Sequence, residues 1–408
     1  MEHQGVFSEI ERQKDIMTKA SMELVCIPAV APENGGDGES KKAEKLMQIL
    51  KFAGFRRIER FDAEDERVPS RKRPNIIAYC HGENNSEKLW IITHLDTVPP
   101  GEESLWTATK PFEPVVKEGR IYGRGSEDNG QSIIASIFAA KALRNLGIKP
   151  KRTVALAFVA DEEQGSKYGI QHLIKQRLFT KDDLIVVPDG GNENGSFIEI
   201  AEKSILWFRI RTIGKQTHGS TPSKGLNAHR IGMQYALALD KLLHEKYALK
   251  DVYFDPPEST IEPTKKDKNV DAVNIIPGED VVHFDYRILP DYNLDNIIRD
   301  VKKLAEEFEN KTGANIKFEP LQKTIAPKPT DANAKIVNML KEAIEEVRGV
   351  KPKVGGIGGG TCAAYFRKTD AAAVVWSTID ETAHQPNEYA KIENIVSDAK
   401  VFAYLAIS

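Results

Sequence analysis

Seven acidic or histidine residues, spread from position 94 to position 384, could do chemistry together. His94 and Asp96 stand in WIITHLDTVPPG, Asp128 in GRGSEDNG, Glu162 and Glu163 in ADEEQG, Asp189 in VVPDGGN and His384 in TAHQPNEY. Two imidazoles and several carboxylates suit a pair of borderline divalent ions, with Zn2+ the first choice. Two such ions about 3.5–4 Å apart can polarise a carbonyl and generate hydroxide at neutral pH. The chemistry implied is hydrolysis at a carbonyl carbon.

Each piece has a bland reading beside the functional one. An extended chain points His94 and Asp96 to the same side, so His94 can bind metal while Asp96 holds its ring. Alone, His-x-Asp is more often a surface turn. Asp128 lies between glycines and ahead of a helix, where an acid commonly caps or turns the chain. Between two cations its oxygens would take one each. Asp161, Glu162 and Glu163 read as a solvated charge run unless cations are near. Near cations, Glu163 can ligate while Glu162 stays free to take a proton from water. Asp161 is then spare. His384 supplies the second imidazole that a two-metal site still needs. The stretch VGGIGGGT from Val354 lacks the Lys of a phosphate loop, but backbone amides at a helix start can hold a carboxylate. Arg287 could clamp a substrate carboxylate through two parallel N–H bonds or form a surface ion pair.

The elements that must position these groups alternate. Helical spacing of apolar residues covers 7–25, 40–53 and 131–146. Short apolar strands are predicted at 89–93, 153–160 and 184–188. Each runs directly into a metal-type residue: His94, then Glu162 and Glu163, then Asp189. In open α/β sheets, sites form beyond the carboxyl ends of the strands. The fold class predicted is therefore α/β, with a doubly wound, mostly parallel sheet. From residue 204 the texture changes to strand, helix, strand, helix, strand over 204–214, 227–245, 281–288, 294–311 and 315–320. This suggests an inserted α+β domain at 204–321. It separates a catalytic domain into parts 1–203 and 322–408, the second holding a helix at 331–347, a strand at 371–376 and a helix at 391–407. His218, Asn274 and Arg287 fall in the insert, so sheet geometry does not assign them.

A chain of 408 residues suits two domains. With 57 basic against 60 acidic side chains, no charge excess points to nucleic acid or an anionic membrane. No apolar run is long enough to span a bilayer. The first residues lack a signal peptide's basic-then-apolar order, so a cytoplasmic protein is expected. Cys26, Cys80 and Cys362 are sparse and unpaired in spacing, which predicts reduced thiols. A nucleophilic role for Cys362 is not expected.

The motifs together resemble those of the zinc-dependent metallopeptidase and deacylase family of aminoacylase, carboxypeptidase G, acetylornithine deacetylase and succinyl-diaminopimelate desuccinylase. HLDTVPPG from His94, YGRG from Tyr122, DEE from Asp161 and the late His384 come in the family's order, and HGSTP from His218, NIIPG from Asn274 and DYR from Asp285 match the insert. The resemblance implies two Zn2+ per subunit, with Co2+ or Mn2+ also accepted. Asp128 would bridge them, with His94, His384 and Glu163 or Asp189 completing the two sites. It implies Asp96 as the residue orienting His94, Glu162 as general base, and a cis peptide after Asp128. His218 would steady the oxyanion from a partner subunit, making the insert a lid and dimerisation domain of a homodimer. Asn274, Arg287, Gly359 and Gly360 would hold the substrate's carboxylate. The expected reaction is amide hydrolysis in a small carboxylate-bearing substrate, such as an N-acyl amino acid. A dipeptidase or carboxypeptidase of the same family is the alternative. A co-catalytic zinc aminopeptidase and a non-catalytic binding protein stand behind it. The chain departs from many members in reading DNGQ from Asp128, Thr93 before His94, and Asp189 where others carry Glu.

Overall fold

The computed structural model describes residues 2–408. By internal packing the chain forms two compact units. The first runs up to Ile200 and resumes at Pro329–Val354 and Thr361–Ser408. Its centre is an eight-stranded sheet in the order Arg57–Arg60, Ile76–Cys80, Arg152–Val159, Asn84–His94, Leu184–Asn192, Ala373–Thr378, Phe197–Glu202, Lys353–Ile357. The four strands from Arg152–Val159 to Ala373–Thr378 are mutually parallel. Their apolar runs are buried on both faces, as parallel strands covered by helices must be. The strands Arg57–Arg60, Ile76–Cys80 and Phe197–Glu202 pair antiparallel at the flanks.

Register explains how distant residues meet. His94 pairs with Val159, and Ile91 pairs with both Leu156 and Val186. The carboxyl ends of three parallel strands are therefore level. His94, the turn after Ala160 and Asp189 leave the sheet at one edge. Asp189 still belongs to the strand Leu184–Asn192, which continues past Pro188 with an irregular register opposite Val375 and Ser377. The helices Ser132–Asn145 and Ile392–Ile407 pack on each other. Most of their residues are buried, which fits helices apolar around most of their circumference. The helical pattern expected over 7–25 is two helices, Glu2–Arg12 and Lys14–Val25, broken at Gln13.

The second unit comprises Ala201–Lys328 and Gly355–Gly360. Its antiparallel sheet has the order Thr260–Lys266, Glu279–Ile288, Ser204–Ile213, Asn315–Thr324. Alternation along Ser204–Ile213 buries Leu206, Phe208 and Ile210 in a core with Tyr235, Leu239, Ile297 and Val301. Those partners come from the helices Ala228–Lys246 and Leu294–Thr312. Both helices start at an Asn side chain that accepts a backbone N–H, Asn227 from Arg230 and Asn293 from Asp295. The strand Thr260–Lys266 escapes sequence reading because it is a polar edge strand carrying Pro263 at a bulge. Gly356 presses against Phe254, where a Cβ would meet the ring at 2.3 Å, so only glycine fits this approach.

Candidate metal centre

Asp128 is the hub. Its Oδ1 lies 2.7 Å from His94 Nε2, and its Oδ2 lies 3.0 Å from His384 Nε2. His94 Nε2 is also 3.4 Å from Asp189 Oδ1, and His384 Nε2 is 3.1 Å from Glu163 Oε1. Two half-sites therefore share one carboxylate: His94 with Asp189, and His384 with Glu163. Donor atoms of His94, Asp128 and Glu163 lie within 4.8 Å of one another, as do those of His94, Glu162 and Asp189. The Asp128–Asn129 peptide is cis.

Local contacts aim these groups. His94 Nδ1 is 3.0 Å from the backbone oxygen of Asp96 and 3.5 Å from its Oδ1, so Nε2 is the nitrogen turned toward Asp128. The Asp96 carboxylate accepts the backbone N–H groups of Glu162 and Glu163, both at 3.0 Å. One acid thereby ties the His94 strand to the turn carrying both glutamates. Asn129 donates to the Pro188 carbonyl at 2.8 Å and to Asp189 Oδ1 at 3.1 Å. Lys42, fully buried, donates to the carbonyl of Leu95, between His94 and Asp96. Burial lowers the Lys42 ammonium to about 8.

Beneath the Asp161–Glu163 turn lies a buried ionic network. Arg73 binds Glu39 through Nε at 2.8 Å and Nη2 at 2.5 Å, and Asp65 through Nη1 at 3.3 Å. Its Nη2 is 3.3 Å from Asp161 Oδ1, close enough for an ion pair but not aligned as a hydrogen bond. Glu39 accepts the Asp161 N–H at 3.3 Å, and Asp161 accepts the Tyr168 N–H at 3.0 Å. Asp161, spare in the sequence reading, anchors the turn.

The protein's own charges identify what the centre lacks. Burial, then Asp189, pushes Glu162 well above the usual carboxylate range. Burial, then Asp128, raises Glu163 to about 7 and Glu388 to about 7. Hydrogen bonds with Asp128 and then Glu163 raise His384 to about 10. Four buried or half-buried carboxylates and two imidazoles converge, and beyond the Lys42 ammonium only protons supply their counter-charge. Divalent cations would supply that charge, and the N/O donor set suits zinc-like ions. The residues fit a dinuclear site.

A pH prediction follows for the metal-free protein. Glu162, Glu163, Glu388 and His384 all have folded-state values raised above the unfolded ones. The folded chain then binds more protons than the unfolded chain. The associated stabilisation is present below the unfolded values and is lost as pH rises through the folded ones. The thermal midpoint in chelator should fall between about pH 5 and about pH 8, and added Zn2+ should flatten the profile. A midpoint that rises across this range would contradict the electrostatics.

The remaining residues singled out in the sequence lie in the second unit. His218 and Asn274 are neighbours: His218 pairs with Ile275 across a two-stranded ribbon, and Gly219 donates to the Asn274 carbonyl at 2.7 Å. Arg287 forks onto Asp285 at 2.6 and 3.0 Å and donates to the Gly358 carbonyl at 3.0 Å. It thus ties Asp285 to the Gly-rich loop that carries Gly359 and Gly360. Cys26, Cys80 and Cys362 form no disulfide. No helix among the described residues is long and apolar enough to cross a membrane.

A parallel-centred sheet delivering a bridged imidazole and carboxylate cluster at its carboxyl edge defines a metal-dependent hydrolase. The sequence model of Peptidase family M20/M25/M40 matches residues 90–408, and the chain belongs to that family. An uncharacterised metallohydrolase of Methanocaldococcus jannaschii is 42% identical over 400 residues, covering 94% of this chain and 97% of that one. A succinyl-diaminopimelate desuccinylase of Nitratiruptor is 27% identical over 314 residues, covering 76% of this chain and 81% of that one. Among solved structures, the aminopeptidase PepT of Bacillus cereus superposes with a TM-score of 0.75 at 19% identity, covering 96% and 98% of the two chains.

Proposed function

We propose that the protein hydrolyses the amide bond of a small substrate bearing a carboxylate beside the scissile bond, an N-acyl amino acid such as an N-succinyl or N-acetyl derivative. The observation carrying this reading is Asp128, whose two oxygens each face one imidazole, with Glu162 held beside them. Two Zn2+ per subunit would sit on either side of Asp128, one with His94 and Asp189, the other with His384 and Glu163. When bound, such ions polarise the carbonyl and lower the pKa of attacking water. Glu162 accepts the proton of that water and returns it to the leaving nitrogen. Asp96 keeps Glu162 in place through its backbone N–H and keeps His94 in the tautomer that presents Nε2. His218 of the partner subunit would contribute a donor to the developing oxyanion, and Asn274, Arg287, Gly359 and Gly360 would recognise the carboxylate. The second unit would then serve as lid and dimerisation domain. Similarity to a desuccinylase favours the deacylase reading over the dipeptidase one.

The test is a panel of N-succinyl, N-acetyl and dipeptide substrates with Zn2+ or Co2+ added, alongside Leu-p-nitroanilide, which has no carboxylate. Turnover confined to one carboxylate-bearing class supports the proposal and names the class. Turnover of the anilide instead would favour an aminopeptidase. Metal binding with no turnover across the panel would overturn the reading.

A further inference from the structure

Two buried acids that the proposed mechanism does not use are crossed between the loops that carry Asp128 and His384. Glu388, four residues after His384, accepts from the Asp128 loop. Its Oε2 takes Arg124 Nη1 at 2.6 Å and the Gly125 N–H at 3.0 Å, and its Oε1 takes the N–H groups of Glu127 at 3.0 Å and Asp128 at 3.1 Å. Glu127, directly before Asp128, accepts from the His384 loop. Its Oε1 takes the Asp380 N–H at 2.6 Å, and its Oε2 takes the N–H of Thr382 at 2.5 Å, the Thr382 hydroxyl at 2.9 Å and the Ala383 N–H at 2.9 Å. Both carboxylates are almost wholly buried.

The backbone explains why two clasps are needed. The antiparallel ribbon of Arg120–Tyr122 with Tyr389–Lys391 brings the two segments together and then ends. Beyond it the chains diverge, one into the distorted helical turn Ser126–Gln131 and the other into a loop, with no ladder between them. His384 sits at φ +63°, outside regular structure. Each clasp satisfies several backbone donors at once, which a single ladder bond does not do. Each also reaches a candidate ligand or its neighbour: Glu388 holds the Asp128 N–H itself, and Glu127 holds Ala383, adjacent to His384.

We propose that Glu127 and Glu388 are crossed positioning residues that set the separation of Asp128 and His384, and thereby the affinity of the half-site those two share. The inference rests on the two-cation reading of the centre. Neither glutamate touches metal or substrate in this scheme. The role requires an acceptor on both oxygens, which a carboxylate offers and an amide does not.

The test compares wild type, Glu127→Gln and Glu388→Gln by titrating Zn2+ into chelator-treated protein, with thermal unfolding of each metal-free form. Wild type should bind two ions. Each variant should bind one ion about 10–100-fold more weakly, the range for lost outer contacts to ligands, and the other, which shares Asp128, with a clearly smaller loss. Equal weakening at both half-sites, or a lowered thermal midpoint with both affinities intact, would make the glutamates merely structural and overturn the inference. Wild type binding fewer than two ions would instead overturn the two-cation reading. If a glutamine variant does not fold, Thr382→Val carries the test. It removes the hydroxyl's bonds to Glu127 and to the Tyr389 backbone and no charge, and should shift the same half-site by less; no shift there counts against the inference.

Discussion

Glu162→Gln should lower kcat by about 10²–10⁴-fold, the range for losing a general acid–base, while both bound ions and KM stay unchanged. The substitution keeps the side chain's size and its backbone N–H to Asp96. It removes only the ability to take a proton. The electrostatics favour this role. A half-buried carboxylate with Asp189 and Glu163 nearby is pushed well above its ordinary value, in the direction a base working near neutral pH requires. Bound cations would oppose that push, leaving Glu162 between the two extremes. The same geometry defines the competing outcome. Glu162 offers a donor atom within 4.8 Å of those of His94 and Asp189, so it could instead be a ligand. If Glu162→Gln loses an ion by titration, it is a ligand and the base must be sought elsewhere. If it keeps both ions and full turnover, it is neither.

The donor types and their order were legible because the strands that deliver them are buried on both faces. Leu89–Thr93, Thr153–Ala160 and Leu184–Val187 carry unbroken apolar runs, and a polar residue after such a run must lie at a sheet edge. The flanking strands were not legible for the converse reason. Arg57–Arg60 is an edge strand of mostly charged residues with exposed ends, so it has no apolar period to read. The supporting acids were invisible for a different reason. Glu127 and Glu388 satisfy backbone N–H groups far away in sequence, and a backbone donor leaves no residue type to search for; Asp96 was legible beside His94, but not its bonds to the Glu162 and Glu163 N–H groups. Asp161 read as one charge in a solvated run because its partners, Glu39 and Arg73, come from other elements. Only the register that levels His94 with Val159 reveals that the run points inward.

Arg73→Met should destabilise the first unit by about 3–5 kcal/mol, the cost of leaving buried charges without their partner. Arg73 is fully buried, as are Glu39, Asp65 and Asp161 around it. Removing the guanidinium strands Glu39 and Asp161, which burial already disfavours, while Asp65 keeps the Arg67 fork at 2.8 Å on each oxygen. Burial is the largest influence raising both Glu39 and Asp161. Protonation would relieve part of the cost, so the loss should be smaller near pH 5 than near pH 8. The denaturant midpoint at constant slope reads the change. Lys41→Ala is the control. Its pair with Asp37 is exposed on both sides, so the effect should stay within about 0.5 kcal/mol. A functional consequence separates Arg73 from an ordinary core residue. The network holds the Asp161 N–H and carboxylate, one position before Glu162, so a released turn should lower kcat under conditions where the variant is still folded. Arg73→Lys keeps a charge but not the fork that spans Glu39 and Asp65, and should fall between wild type and methionine in both readouts. If Arg73→Met changes stability by less than about 1 kcal/mol, well short of the buried-pair range, the network contributes little and the turn is held by Asp96 alone.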